Sequence, residues 1–287
     1  VKETWTVLKV LQWTAGYLKD KGVDNGRLDA ELLLAEVLQL DRVGLYLNYD
    51  RPLQAEELAA YRQLVGRRSR REPLQYILGR AEFWSLPFKV GPEVLIPRPD
   101  TEVLVEEALR RVRADGTILD VGTGCGAVAV ALASELSAAR LVGIDVSEAA
   151  LQVAAENARH NGVAERVDLL QIDLACLPAG PFDLIVANPP YIPTADLAGL
   201  MPEVRDHEPA LALAGGDDGL DCYRRLAGQA ASRLQPGGWL LAEVGIGQAA
   251  AVREIFAAAE LQEAFCRSDL NGIPRVVGAR CAALAAG

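Results

Sequence analysis

Thr117-Ile118-Leu119-Asp120-Val121-Gly122-Thr123-Gly124-Cys125-Gly126 is the stretch on which the fold turns. Its first five residues form a short apolar run of the kind that makes a strand buried on both faces. Three alternating glycines follow, and then an Ala/Val/Leu-rich segment that runs to about Leu136 with a helical composition. A strand, a tight glycine turn and a helix are the opening half of a βαβ unit. Glycines let the backbone turn sharply and come close to a ligand. The spacing is D-x-G-x-G-x-G. It is not the G-x-G-x-x-G that seats a pyrophosphate on a helix start, so the loop suits a ligand without one.

Working outward, Leu141-Val142-Gly143-Ile144 is a second strand ending at Asp145. An acid ~20 residues beyond such a loop accepts hydrogen bonds from ribose hydroxyls. Ser147 suits the N-cap of the next helix, which leaves Asp145 for the ligand. That helix runs to about Arg159 and stops at Asn161-Gly162, a C-cap signal. Val167 to Ile172 is a third strand, ending at Asp173-Leu174. Phe182 to Ala187 is a fourth, and Asn188-Pro189-Pro190-Tyr191 stops it. Neither proline offers an N–H to a ladder and each fixes its own φ. The result is a stiff corner at the carboxyl end of a strand, where open α/β sheets bind ligands. Asn188 carries an acceptor oxygen and an NH₂ donor, so beside rigid carbonyls it can grip a planar NH₂ group, with Tyr191 as an aromatic wall.

The connection Ile192 to Asp217 is long, carries Pro193, Pro202 and Pro209, and is read as a lid. His207 within it is read as a solvent-facing loop histidine. A helix to about Leu234 and the turn Pro236-Gly237-Gly238 lead into the strand Trp239 to Val244. A further helix spans Gln248 to Glu260, and strands near Ala264–Ser268 and Val276–Ala279 are joined by the hairpin signal Asn271-Gly272. Strands alternating with helices predict a doubly wound parallel sheet.

The first part of the chain reads differently. From Val1 to about Leu78 the apolar residues recur at helical spacing, with new helices expected at Asp41 and Pro52 and four or five in all. Arg67, Arg68, Arg70 and Arg71 form a basic run, either a helix end favoured by its dipole or a contact for a phosphate backbone or acidic partner. Pro73 ends the helices. Phe83 to Val90 reads as a short hairpin and Val94 to Glu102 as a rigid Pro-rich link, with Asp100 or Thr101 capping a helix that runs to about Arg113. The expected division is a helical docking domain at 1–80, a hairpin and linker at 81–100, and the α/β domain at 101–287.

Composition narrows the function. The net charge is −10, and a nucleic-acid binder usually shows a basic footprint. No apolar run reaches the ~18 residues of a membrane span, and no signal-peptide pattern opens the chain; a cytoplasmic protein is expected. Five cysteines without a C-x-x-C argue against a disulfide framework or a zinc site, and no metal is expected. They are read as small apolar fillers.

Pro73-Leu74-Gln75-Tyr76-Ile77-Leu78-Gly79, then Leu95-Ile96-Pro97-Arg98-Pro99, then Asn188-Pro189-Pro190-Tyr191 resemble, in this order, the protein-(glutamine-N5) methyltransferases that modify class I peptide chain release factors. Glu208 to Leu213 and Gly215 to Leu220 add to the likeness, which runs through nearly the whole chain. The resemblance implies a seven-stranded, doubly wound, Rossmann-like sheet with one antiparallel strand, preceded by a small all-helical domain. It implies S-adenosyl-L-methionine as cofactor, met by Asp120, Gly122, Thr123, Gly124, Cys125, Gly126, Asp145, Asp173, Leu174 and Asn188. Asp120 is expected to serve the cofactor's ammonium directly or through water, and exposed loop N–H groups its carboxylate. Leu174 stands where the family often has an aromatic. The catalytic set implied is Asn188, Pro189, Pro190 and Tyr191, and the target is the glutamine of a Gly-Gly-Gln loop, modified in support of translation termination. The rival readings are an adenine-N6 methyltransferase of DNA or RNA, with a flipped base on Tyr191, and a noncatalytic binding module.

Overall fold

Residues 4–283 are described by the structure, a computed structural model. Val1–Glu3, where the helical reading began, lie outside them. Two compact units emerge: one holds the chain up to Gly79 together with Met201–His207, the other Arg80–Leu200 and the chain from Glu208 onward.

The helical unit contains α1 (Val7–Asp20), α2 (Gly26–Leu38), α3 (Arg42–Leu47), α4 (Ala55–Ser69) and α5 (Leu74–Leu78). Asp41 caps α3 as expected, accepting from the Gly44 N–H at 2.6 Å. Pro52 does not start a helix. It bridges to Thr6, and α4 begins behind Gln54 in a capping box with Glu57. Val7, Leu11, Leu18, Leu33, Leu34 and Leu45 fill the core between the helices.

The inserted segment Met201–His207 explains the basic run. Arg68 is buried; its Nε donates to Asp29 at 2.7 Å and its Nη1 to Glu203 at 3.0 Å. Arg71 grips the same carboxylate with Nε at 2.7 Å and Nη2 at 2.6 Å, and Arg67 pairs with Glu72. Three of the four arginines are therefore spent inside the unit and are not offered to a phosphate backbone. Burial pushes the Glu203 carboxyl up, but its bonds to Arg71 and Arg68 outweigh that and hold it below its ordinary range. Glu203→Ala is expected to cost about 1–3 kcal/mol, less than a fully orphaned buried charge because Arg68 keeps Asp29. Urea melts should show that loss, and limited proteolysis should cut sooner between Leu200 and Glu208.

The sheet unit opens with the expected hairpin, β1 (Arg80–Phe83) and β2 (Leu86–Lys89). Then come α6 (Glu102–Leu109), β3 (Thr117–Val121), α7 (Ala127–Glu135), β4 (Arg140–Asp145), α8 (Glu148–His160), β5 (Val167–Gln171) and β6 (Phe182–Ala187). After α9 (Pro202–Arg205), which lies in the inserted segment, come α10 (Asp221–Arg233), β7 (Leu234–Glu243), α11 (Ala249–Ala258), β8 (Gln262–Ser268) and β9 (Pro274–Arg280). Helix α6 stops short of the expected Arg113. Strand β7 starts earlier than read, because Leu234 already pairs with Phe182 and the Pro-Gly-Gly turn is absorbed as a register shift within the strand. Cys176 and Cys266 are exposed, so they are not core fillers; Cys125 is buried.

The seven strands run in the order β5-β4-β3-β6-β7-β9-β8, with β9 antiparallel to both its neighbours. The strand order reverses between β3 and β6, the switch point where such sheets hold ligands. Register there has a direct consequence. Val121 pairs with Ile144 on one side and Ala187 on the other, and Ala187 pairs with Ala242. One residue further along each strand stand Asp145, Gly122, Asn188 and Glu243. They form a row at the carboxyl edge, about 14 Å long at the usual strand spacing.

Candidate active site

The glycine loop leaves β3 with φ of 72° at Gly122 and 55° at Gly124, a region that side chains avoid. A Cβ on Gly122 would meet nothing within 4 Å, and on Gly124 only the Gly122 carbonyl at 4.0 Å. Both positions face an open cradle that side chains would fill. Asp120 lies beneath it, buried, accepting from the Thr123 hydroxyl at 2.7 Å. Burial pushes its carboxyl up to about 6, against the pull of Thr123. The expectation of exposed loop N–H groups needs correcting. Gly122 and Thr123 donate to the Ile144 carbonyl, Gly126 to that of Thr123, and Gly124 to Asp145. Cys125 packs, buried, under the start of α7.

Asp145 does two jobs that spacing alone does not reveal. Its Oδ2 accepts from Gly124 N–H at 3.0 Å and its Oδ1 from Ser147 N–H at 2.9 Å. It therefore fixes the loop and the turn into α8, while Ser147 caps that helix through Ala150. Asp173 is exposed and caps a short turn through Ala175 N–H at 2.7 Å. Leu174 packs partly buried against the sheet core.

At the end of β6, Pro189 is buried and Asn188 half-buried. Asn188 Nδ2 donates to Thr101 Oγ1 at 3.2 Å. Neither Thr101 nor Asp100 caps α6 with its side chain. Thr101 is itself helical, with φ −67° and ψ −17°, because the turn Pro99–Thr101 runs straight into α6. Its hydroxyl is thereby freed for Asn188. Beside them stands Glu243, 3% exposed. Burial pushes its carboxyl up to about 7, although Thr101 and Asn188 reach it and favour its charged form. Its Oε2 has no hydrogen-bond partner. The Tyr223 hydroxyl donates to the Glu243 carbonyl at 2.8 Å and fixes the strand end.

Tyr191 is half-buried, its ring set against the sheet core and close to Gly245. Gln248 braces the corner, donating to the Tyr191 carbonyl at 2.9 Å and accepting from Gly245 N–H at 3.0 Å. Two glycines after the corner, Gly215 and Gly219, are explained by its backbone. A Cβ on Gly219, where φ is 77°, would fall 2.3 Å from the Tyr191 carbonyl oxygen. Gly219→Ala is expected to destabilise by about 1–3 kcal/mol through overpacking and to slow turnover; thermal melts and rates measured side by side check both. Arg98, between its two prolines, donates to the buried Glu208 at 2.6 Å and so ties the Pro-rich link to the long connection after β6. His207 is half-buried rather than solvent-facing, with its Nε2 3.4 Å from the Arg70 carbonyl, and it lies in the segment that packs with the helical unit. Thr101 and Glu243 are the residues sequence reasoning passed over. The available signal was a lone acid at the carboxyl end of an otherwise apolar strand.

The chain is similar to known proteins over nearly its whole length. Residues 9–79 match the model of the PrmC N-terminal domain, and residues 99–208 that of ribosomal protein L11 methyltransferase (PrmA). A release factor glutamine methyltransferase of Geobacter sulfurreducens is 56% identical over 280 residues, covering 97% of this chain and 98% of that protein. One from Bradyrhizobium diazoefficiens is 44% identical over 272 residues, covering 93% and 92%. Among solved structures, a methyltransferase from Pyrococcus furiosus superposes with a TM-score of 0.52 at 17% identity, covering 69% of this chain and 89% of that one, a likeness of fold.

Proposed function

The chain belongs to the release factor glutamine methyltransferase family, and from that membership we propose that it moves the methyl group of S-adenosylmethionine to the side-chain amide nitrogen of the glutamine in the Gly-Gly-Gln loop of peptide chain release factors. The observation that carries the reading is the row Asp145, Gly122, Asn188, Glu243. It sets the open glycine cradle directly beside the Asn-Pro-Pro-Tyr corner on neighbouring strands. The cradle suits the cofactor: open space over Gly122 and Gly124, an acid at Asp145, an aliphatic surface at Leu174, and Asp120 beneath. When bound, S-adenosylmethionine supplies a methyl on a positively charged sulfur.

An amide nitrogen is a poor nucleophile because its lone pair is delocalised into the carbonyl. The protein's contribution is alignment and electrostatics. Asn188 Oδ1 and the Pro189 carbonyl accept the two N–H bonds of the glutamine, which favours pyramidalisation and aims the lone pair. The same two acceptors stabilise the positive charge that builds on the nitrogen, and that charge is discharged when the methylated nitrogen loses one of its two protons to water. Tyr191, braced by Gln248, holds the corner rigid. The helical unit is the docking domain for the release factor; its cavity of about 290 Å³, lined by Trp5, Trp13, Tyr17 and Tyr61 among others, offers apolar surface for a protein partner. No helix among the described residues is long and apolar enough to cross a membrane, and the proposed setting is the cytoplasm. Labelled-methyl transfer to purified release factor, followed by mass mapping, tests the reading. Label on the Gly-Gly-Gln glutamine is expected; label on adenine in DNA or RNA overturns it.

A further inference from the structure

We propose that Glu243 is a positioning residue: together with Thr101, it draws the Nδ2 end of Asn188 inward and so presents Oδ1 to the substrate amide. The inference rests on the reading in which Asn188 holds the glutamine. The two ends of an Asn side chain have nearly the same shape and opposite hydrogen-bonding character. The NH₂ of a glutamine offers donors only. If Asn188 pointed its own NH₂ outward, donors would face donors and the grip would be lost. Something behind Asn188 has to sort its ends.

Thr101 cannot do so alone. Its hydroxyl both donates and accepts, so it could satisfy either end of Asn188. An ionised carboxylate accepts only. Thr101 and Asn188 both reach the Glu243 carboxylate; with the Thr101 O–H turned to Glu243, Thr101 Oγ1 is left as an acceptor, and Asn188 Nδ2 fills it at 3.2 Å. The polarity then runs one way, from Asn188 Nδ2 toward Thr101 and the Glu243 carboxylate. Burying a carboxylate at the end of an apolar strand is costly, and no arginine is dedicated to it. The charged and titratable groups that face it are Asp100, Arg275, Tyr191 and Tyr223. Arg275 is already engaged by Asp100 at 2.7 Å and Asp269 at 2.9 Å. An outward acceptor at Oδ1 also rejects a glutamate in the same loop, whose carboxylate offers no donor.

The test uses the full chain, release factor and saturating S-adenosylmethionine. Single-turnover rates are measured between about pH 5.5 and 9 for wild type, Glu243→Gln, Thr101→Val and Thr101→Ser. The wild-type rate is expected to fall as pH drops through about 7, where Glu243 takes up a proton and ceases to be a pure acceptor. Glu243→Gln should lose roughly 10- to 100-fold in rate at pH 8 and lack that acid limb, with KM for the release factor little changed. Thr101→Val should behave alike, and Thr101→Ser should recover most of its loss. In parallel, the side-chain NH₂ signals of Asn188 in nitrogen-15 NMR of the free enzyme should titrate near 7 in the wild type and not in Glu243→Gln. That readout needs neither substrate nor turnover, so it stands even if the methyl acceptor proves to be another molecule. A Glu243→Gln enzyme with wild-type rate, a rate loss that leaves the acid limb in place, or Asn188 signals indifferent to pH overturns the proposal.

Discussion

Asn188→Ala is expected to lower the single-turnover rate of methyl transfer by ~10²–10³, the usual effect of deleting one polar group already aimed at developing charge. Cofactor affinity should change far less, by under about tenfold, because the cradle over Gly122 and Gly124 stands without the Asn188 side chain. The loss should stop short of abolition, since the Pro189 carbonyl keeps the second acceptor. The corner itself should survive, because the two prolines and the Gln248 brace define it and Asn188 does not. Asn188→Asp separates shape from chemistry. It keeps an acceptor but deletes the donor to Thr101 and sets a carboxylate beside Glu243. Two like charges that close raise each other's pKa, so Asn188→Asp should be as slow as the alanine variant at neutral pH and should not be rescued by its retained oxygen. Rapid-quench measurement with labelled cofactor decides the matter; near-normal rates in either folded variant sink the role proposed for Asn188.

Much of this fold was written in local signals. The apolar run Thr117–Val121 and its glycine turn announced β3 and the cradle, and the alternation that followed announced the doubly wound sheet. Ser147 and Asp41 capped their helices where short-range chemistry placed them. The errors share one cause, which is distance along the chain. Thr101 looked like a cap because a Thr before an apolar run usually is one. Its actual partner, Asn188, is 87 residues away and cannot be inferred from spacing. Arg68 and Arg71 looked like a free basic run because Glu203 lies 135 and 132 residues further on. By sequence Glu243 reads as one more residue of a buried strand. Only the register of β6 against β7 brings it beside Asn188, and register between non-adjacent segments is a tertiary property. The expected roles of the loop N–H groups failed for the same reason: Gly122, Thr123 and Gly124 donate to Ile144 and Asp145 on the neighbouring strand β4, and only Gly126 bonds within the turn.

Asp145→Ala should weaken S-adenosylmethionine binding by roughly 10- to 100-fold, the equivalent of ~1.5–3 kcal/mol in lost charge-assisted hydrogen bonds. Two mechanisms could produce that number, and they are separable. In the first, Asp145 accepts from the ribose hydroxyls. In the second, its oxygens hold Gly124 and Ser147, and their release lets the cradle sag. A ribose contact penalises any ligand with that sugar, so adenosine should lose as large a factor as S-adenosylmethionine. A sagging loop penalises whatever rests on Gly122 and Gly124 and adds a loss of stability of about 1 kcal/mol per bond. Asp145→Asn supplies the control. Its amide oxygen can still accept from one backbone N–H, but its NH₂ can accept nothing, so the other bond is lost. Because Asp145 is one residue from the loop across a single strand spacing, both mechanisms should contribute in full in Ala and in part in Asn, which keeps one acceptor. Calorimetry with S-adenosylmethionine and with adenosine, set against thermal melts of the same two variants, apportions them. Unchanged affinity for both ligands in a folded Asp145→Ala protein would remove Asp145 from the cofactor site altogether.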